Sequence, residues 1–236
     1  MIAKNITTIL ILATAFTFAG DEKPSTHPDT KRDGWNPLFD KELSNANYPE
    51  GVWTRDEDGV LTASKDEALW SEKNYHDFVL DLEFKTDKDT NSGIIVHCSD
   101  TKNWIPNSVE IQIADDHGKW KDADRTWRCA AIFGRLAAKD AKVKKPGEWN
   151  RYTVTCKGKM IYVVLNGELV TEMDMAKWTD PKKNPDGTDI PSWLSKAAAT
   201  LPLEGYIGFQ GKHAGAPIYF RNIRIKELKE EGQEEE

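Results

Sequence analysis

After its first twenty positions this sequence has no long apolar run, few cysteines, no basic cluster and little helical patterning. Each shortage excludes something. The apolar stretch Ile6 to Phe18 is about thirteen residues, short of the ~20 that a helix needs to span a bilayer, so no membrane span is predicted. Preceded by Lys4 and closed by Thr17-Phe18-Ala19, it reads instead as a secretory signal over residues 1–19, with export to the periplasm or beyond the cell as the consequence. Cys98, Cys129 and Cys156 show neither metal-ligand spacing nor a C-x-x-C pair. In an oxidising compartment two could pair, but the preferred reading is three buried small apolar side chains. Without a Lys/Arg cluster, a nucleic-acid partner is excluded. There is no G-x-S-x-G elbow, Walker loop, H-E-x-x-H helix or dinucleotide fingerprint.

What is present is strand patterning, unevenly placed charge and tryptophan. Residues 229–236 hold five Glu against one Lys, so more than half of the formal charge of −7 lies in a tail that reads as solvated and disordered. Residues 20–33, polar and containing Pro24 and Pro28, read as a linker, and the domain is expected over 34–228. Nine tryptophans suit either a large core or flat stacking surfaces for sugar C–H faces. Phe78, Leu80, Leu82 and Phe84 alternate with Val79, Asp81, Glu83 and Lys85, a period of two that buries one face.

Similar runs are predicted at 52–55, 60–63, 94–98, 109–114, 125–133, 149–156, 160–170, 206–210 and 218–226. Asn166-Gly167 is a hairpin turn within one of them, and a bulge near Arg221-Asn222 reconciles Phe220 with Ile223. A short helix is expected only at Ser192 to Thr200. The fold class predicted is all-β, a two-sheet antiparallel jelly-roll sandwich. Loops 99–107, 115–124 and 174–204 are long enough to carry a site.

Candidate chemistry clusters on three segments. In Val109-Glu110-Ile111-Gln112-Ile113 the odd positions face the core, so Glu110 and Gln112 project together about 7 Å apart from the other face. Asp115, Asp116 and His117 follow at the strand end. His97 is expected to share a face with Ile95, opposite Val96 and Cys98, and to join Glu110 if their strands are neighbours. Gln210 and His213 sit at a strand end beside a glycine-containing loop, and Arg221 can bind an oxyanion or pair with a surface acid.

The pieces GWNPLFD (34–40), DGVLTA (58–63), YHDFVLDLEFK (75–85), NSGIIVH (91–97), WIPNSVEIQI (104–113), GEWNRYTV (147–154), LNGELV (165–170), GYIGFQ (205–210) and FRNIRIKEL (220–228) occur in an order that resembles the 3-keto-disaccharide hydrolase family. The resemblance implies a concanavalin A-like lectin/glucanase sandwich and a carbohydrate substrate oxidised at C3, cleaved by hydrolysis or elimination. It implies a site in which Glu110 or His97 is base or metal ligand, and His117 or His213 an acid. Trp104, Gln112, Gln210 and Arg221 are its implied substrate contacts. A divalent metal ion is its possible cofactor, with His97 and Glu110 the candidate ligands.

A ketone at C3 acidifies the C2 proton, so one base suffices and a carboxylate pair is not required. Consistent with that, the E-x-D-x-x-E strand of laminarinase-like sandwiches is missing. Many relatives read Gln-Asp-His-Gly where this chain has Gln210-Gly211-Lys212-His213. The alternatives to this enzyme reading are a noncatalytic carbohydrate-binding module and a conventional glycan hydrolase.

Overall fold

The computed structural model describes residues 23–228, so the expected leader (1–19) and acidic tail (229–236) lie outside the described residues. Thirteen strands follow one another: β1 (Asn36–Pro37), β2 (Ala46–Asn47), β3 (Trp53–Arg55), β4 (Leu61–Ala63), β5 (Leu69–Ser71), β6 (Phe78–Thr86), β7 (Asn91–Cys98), β8 (Val109–Ala114), β9 (Trp149–Lys157), β10 (Met160–Leu165), β11 (Glu168–Asp174), β12 (Tyr206–Phe209) and β13 (Ile218–Glu227). Among the described residues there is no α-helix, only short 3₁₀ turns.

The strands form two antiparallel sheets packed face to face as a jelly-roll sandwich. One has eight strands, in the order β11-β10-β9-β6-β13-β4-β3 with β1 added against β13; the other has five, in the order β2-β5-β12-β7-β8. Period-two patterning decides what lies between them. Phe78, Leu80, Leu82 and Phe84 of β6 are fully buried, as are Ile94 and Val96 of β7 and Val109, Ile111 and Ile113 of β8. Phe209 of β12 meets Phe220 of β13 edge-on at 5.0 Å between ring centres, joining the two sheets through the core. The register of β13 against β6 shifts between Arg221 and Arg224, with Asn222 at φ +53, so the expected bulge is present and both Phe220 and Ile223 point inward.

Two sequence expectations are corrected. The predicted strand 125–133 is a 3₁₀ turn at Arg125–Trp127, and only 130–133 pair along the free edge of β8, through Ala130 N–H to Gln112 O and Phe133 N–H to Glu110 O. Ala130 at φ +67 breaks the extended run that its apolar neighbours suggested. The predicted helix 192–200 reduces to a 3₁₀ turn at Ala198–Thr200, because Pro191 and the packing of Leu194 and Ala198 into the core take precedence over local propensity. The three cysteines are free and buried.

Residues 23–33, expected as part of a linker, lie across the outer face of the eight-stranded sheet. His27 Nδ1 donates to Thr153 Oγ1 (2.8 Å), which donates to the buried carboxylate of Asp81 (2.6 Å). Arg151 joins Asp81 Oδ1 (3.0 Å) to the Pro28 carbonyl (2.8 Å).

Candidate active site

The five-stranded sheet turns its other face away from the core, and that face carries the site. On β7 and β8, Ile95 pairs with Glu110 and Gly93 with Gln112. Because Val109, Ile111 and Ile113 are locked into the core, Glu110 and Gln112 are forced outward together. They are nevertheless buried, at 9% and 1% exposure, because loops close over them. Gly93 makes room for this. A Cβ there would collide with the carboxyl of Glu110, so the acid lies flat over a strand position that only glycine can fill. Tyr152, inside the core, donates to the Gln112 carbonyl (2.9 Å) and fixes β8 from behind.

The loops supply aromatic walls. A cleft of about 360 Å³ is lined by Asn91, Glu110, Gln112 and His213 with Trp104, Ile105, Trp120, Trp127, Phe133 and Trp193. Trp104 packs edge-on to Trp70 (6.4 Å), within a small apolar cluster on the outer face that also holds Ile95 and Cys98. Trp120 Nε1 donates to Asp89 O (2.9 Å), and Trp127 lies between Phe133 (5.6 Å) and Trp193 (6.3 Å).

Glu110 is electrostatically unusual. Among the described residues its carboxyl has no hydrogen-bond or ion-pair partner, and burial, with a smaller contribution from the Asp66 charge, pushes it up to about 8. Gln112 Nε2 donates to Asn91 Oδ1 (3.0 Å), whereas among the described residues its Oε1 is a buried acceptor without a donor, as is that of the expected site residue Gln210, which does not line the cleft. Buried acceptors left open are costly unless a ligand supplies the donor, and sugar hydroxyls are such donors.

His213 lines the same cleft and its Nδ1 donates to Asp66 Oδ2 (2.6 Å). That pairing leaves Nε2 free to take or give a proton. The loop bearing His213 packs tightly at Gly211. A Cβ at Gly211 would strike the carbonyl oxygens of Lys65 and Glu67, and Lys212 N–H donates to Lys65 O (2.9 Å). The backbone therefore lies directly on the 65–67 turn, and the carboxylate beside the histidine comes from Asp66.

Three further expected site residues are elsewhere. His97 has φ +54, which breaks the alternation of β7, so Cys98 rather than His97 joins Ile95 on the outer face. His97 Nδ1 donates to the Leu203 carbonyl (2.6 Å), and burial depresses the imidazole to about 4. The expected His97–Glu110 metal pair is thus not formed. Among the described residues no group of three or more His, Cys, Asp or Glu side chains is placed to hold a metal ion.

His117 donates from Nε2 to Val143 O (3.0 Å) and lines a different depression, with Asp116, Arg125 and Arg128. Arg221 belongs to the opposite sheet, where it pairs with Glu83 (2.7 Å) and stacks on Trp149 at 4.0 Å. Sequence reasoning missed Asn91, Asp66 and four aromatic walls, Trp120, Trp127, Phe133 and Trp193. The tryptophan count was the available signal, but only the folded loops show which of them converge.

Comparison with known proteins fits this architecture. A family model described as a 3-keto-alpha-glucoside-1,2-lyase-like domain matches residues 32–226. A "putative glycosyl hydrolase" of known structure from Parabacteroides distasonis is 58% identical, with a TM-score of 0.80 over 82% of this chain and 99% of that one. A second protein of that description and organism is 22% identical, with a TM-score of 0.69 over 87% and 100% of the two chains, a likeness of fold. A Bacillus subtilis protein of galectin-like fold shares the sandwich at 14% identity and a TM-score of 0.50, over 82% and 94% of the chains. No curated protein matches the chain in sequence. On the family match and the 58% identity, the chain belongs to the 3-keto-alpha-glucoside-1,2-lyase-like domain family, a glycosyl hydrolase-like family.

Proposed function

We propose that this protein cleaves 3-keto-glycosides, with Glu110 as the base that removes the C2 proton. The observation that carries the reading is an unpartnered carboxyl, raised to about 8 by burial, on the floor of an aromatic cleft in a chain of this family. A binding module gains nothing from burying an unpaired acid, whereas a general base gains basicity from it. A conventional glycosidase needs two acids flanking the scissile bond. Of the residues lining this cleft, Glu110 is the one carboxylate.

The chemistry balances as follows. Ionised Glu110 accepts the C2 proton, and the C–H electron pair forms the C2=C3 bond of an enolate whose charge rests on the C3 oxygen. Return of that charge to the C3 carbonyl shifts the double bond to C1=C2 and expels the glycosidic oxygen with its electron pair. That oxygen takes a proton from His213, held toward the cleft by Asp66. Release at this stage is elimination; addition of water across C1=C2 completes hydrolysis. Gln112 holds a sugar hydroxyl through its open acceptor, and the aromatic walls exclude water.

The test is turnover of methyl 3-keto-α-glucoside beside the unoxidised glucoside. Cleavage of the keto sugar alone, lost in Glu110→Gln, supports the reading; cleavage of the parent sugar, or undiminished turnover by the variant, refutes it. Binding of native glycan without any product would identify a lectin-like module. A leader at residues 1–19 would place the activity outside the cytoplasm. A mature protein beginning at residue 20 supports that placement, and one beginning at Met1 contradicts it.

A further inference from the structure

Among the described residues the exposed large apolar side chains are Ile105 and Trp193, at 40% and 50% exposure, and both line the Glu110 cleft. They come from different loops, 99–108 and 175–205, yet those loops are tied together. Lys196 Nζ donates to Asn107 Oδ1, linking the Trp193 loop to the Ile105 loop. Arg135, buried and without an acidic partner among the described residues, donates to the Lys196 carbonyl (3.2 Å). Gly134 packs against Pro191 and Leu194 so closely that a Cβ would not fit. Trp193 then meets Trp127 edge-on at 6.3 Å.

Two exposed apolar groups on braced loops at one cleft are unlike the singly scattered apolar residues of an ordinary surface. Bracing also lowers the ordering cost of binding, so the surface is preformed for a ligand.

We infer that Trp193 and Ile105 form an aglycone subsite that selects 3-keto-glycosides whose leaving group is flat and apolar, an aryl or arylalkyl alcohol, over those with a second sugar. The inference rests on the proposed activity and names its substrate class. In this reading Asn91, Glu110, Gln112 and His213 meet the keto sugar, and Ile105, Trp127 and Trp193, which line the same cleft, meet what is attached to it. A second sugar can lay a C–H face on Trp193 but finds no hydrogen-bond partner for its hydroxyls among these side chains, whereas an aromatic ring has nothing polar to satisfy and stacks with its whole face.

The experiment compares methyl, benzyl and glucosyl 3-keto-α-glucosides, whose leaving alcohols are of comparable basicity. With the wild-type protein, KM for the benzyl compound is expected to be about tenfold below that for the methyl compound and below that for the glucosyl compound. In Trp193→Ala and Ile105→Ala the benzyl advantage is expected to fall about five- to tenfold, through KM rather than kcat. Trp193 is half exposed, so its removal does not threaten folding. Equal KM values for benzyl and methyl substrates, a glucosyl preference, or variants that affect all three substrates equally would overturn the subsite. If none is cleaved, the proposed activity fails on its own. Equilibrium binding of the same compounds, read by tryptophan fluorescence, then decides the subsite: a benzyl preference lost in Trp193→Ala supports it, and no preference overturns it.

Discussion

Replacing Glu110 by Gln should make the protein more stable at alkaline pH while removing its activity. In the unfolded chain this carboxyl ionises near 4.5, but in the folded protein only near 8. The folded state therefore holds a proton that the unfolded state has already released. The stability this contributes is fully present below about pH 4.5 and is lost as pH rises through about 8. Glutamine keeps the shape of the protonated acid and cannot ionise. Between pH 5 and 9 the wild type should lose roughly 4 kcal/mol relative to Glu110→Gln, an upper value because water entering the cleft eases the buried charge. For a domain of this size that corresponds to roughly 10 °C in Tm. Thermal unfolding of both proteins at pH 5, 7 and 9 reads it directly. The curves should lie close together at pH 5 and diverge with the variant higher at pH 9. Parallel curves would show that Glu110 ionises normally and is not an activated base.

The remaining expectations concern the groups around this acid. Asp66→Asn removes a charge that raises Glu110, so the ascending limb of kcat/KM against pH, expected near 8 in the wild type, should move to lower pH; an unmoved limb would contradict the assignment. The same variant, like His213→Ala, should lower kcat about tenfold or more for poor leaving groups and less for good ones, as loss of a general acid requires. Gly93→Ala should cut activity more than tenfold, because a methyl there displaces the Glu110 carboxyl, while circular dichroism shows the sandwich retained. His117→Ala and Arg221→Ala should leave kcat and KM within about twofold, since His117 lines a separate depression and Arg221 lies on the other sheet. A large kinetic loss in either would mean that the site extends beyond the Glu110 cleft.

The sandwich was legible in the sequence because its signal is local. Phe78 to Lys85 and Val109 to Ile113 alternate so regularly that each buried face, and with it the outward pairing of Glu110 and Gln112, follows from period two alone. His97 shows where that reasoning stops. One residue with positive φ reverses the alternation, and nothing in Ile94-Ile95-Val96-His97-Cys98 marks it. Residues 125–133 failed differently: their apolar content serves edge pairing at 130–133 and a tryptophan wall at 127, not a continuous strand. The cleft walls were illegible because Trp120, Trp127 and Trp193 come from loops whose paths depend on contacts such as Trp120 to Asp89 and Arg135 to Lys196. The loop after Gly211 takes its carboxylate partner from Asp66, 147 residues away in sequence from His213, a pairing that no local pattern marks.

The central claim is that cleavage begins with removal of the C2 proton by Glu110. Methyl 3-keto-α-glucoside carrying deuterium at C2 tests it most directly, with products followed by NMR in ordinary water. The account predicts a slowed reaction and loss of the C2 label during turnover, with neither turnover nor label loss in Glu110→Gln. Cleavage that retains the C2 deuterium and proceeds at the unlabelled rate would contradict it.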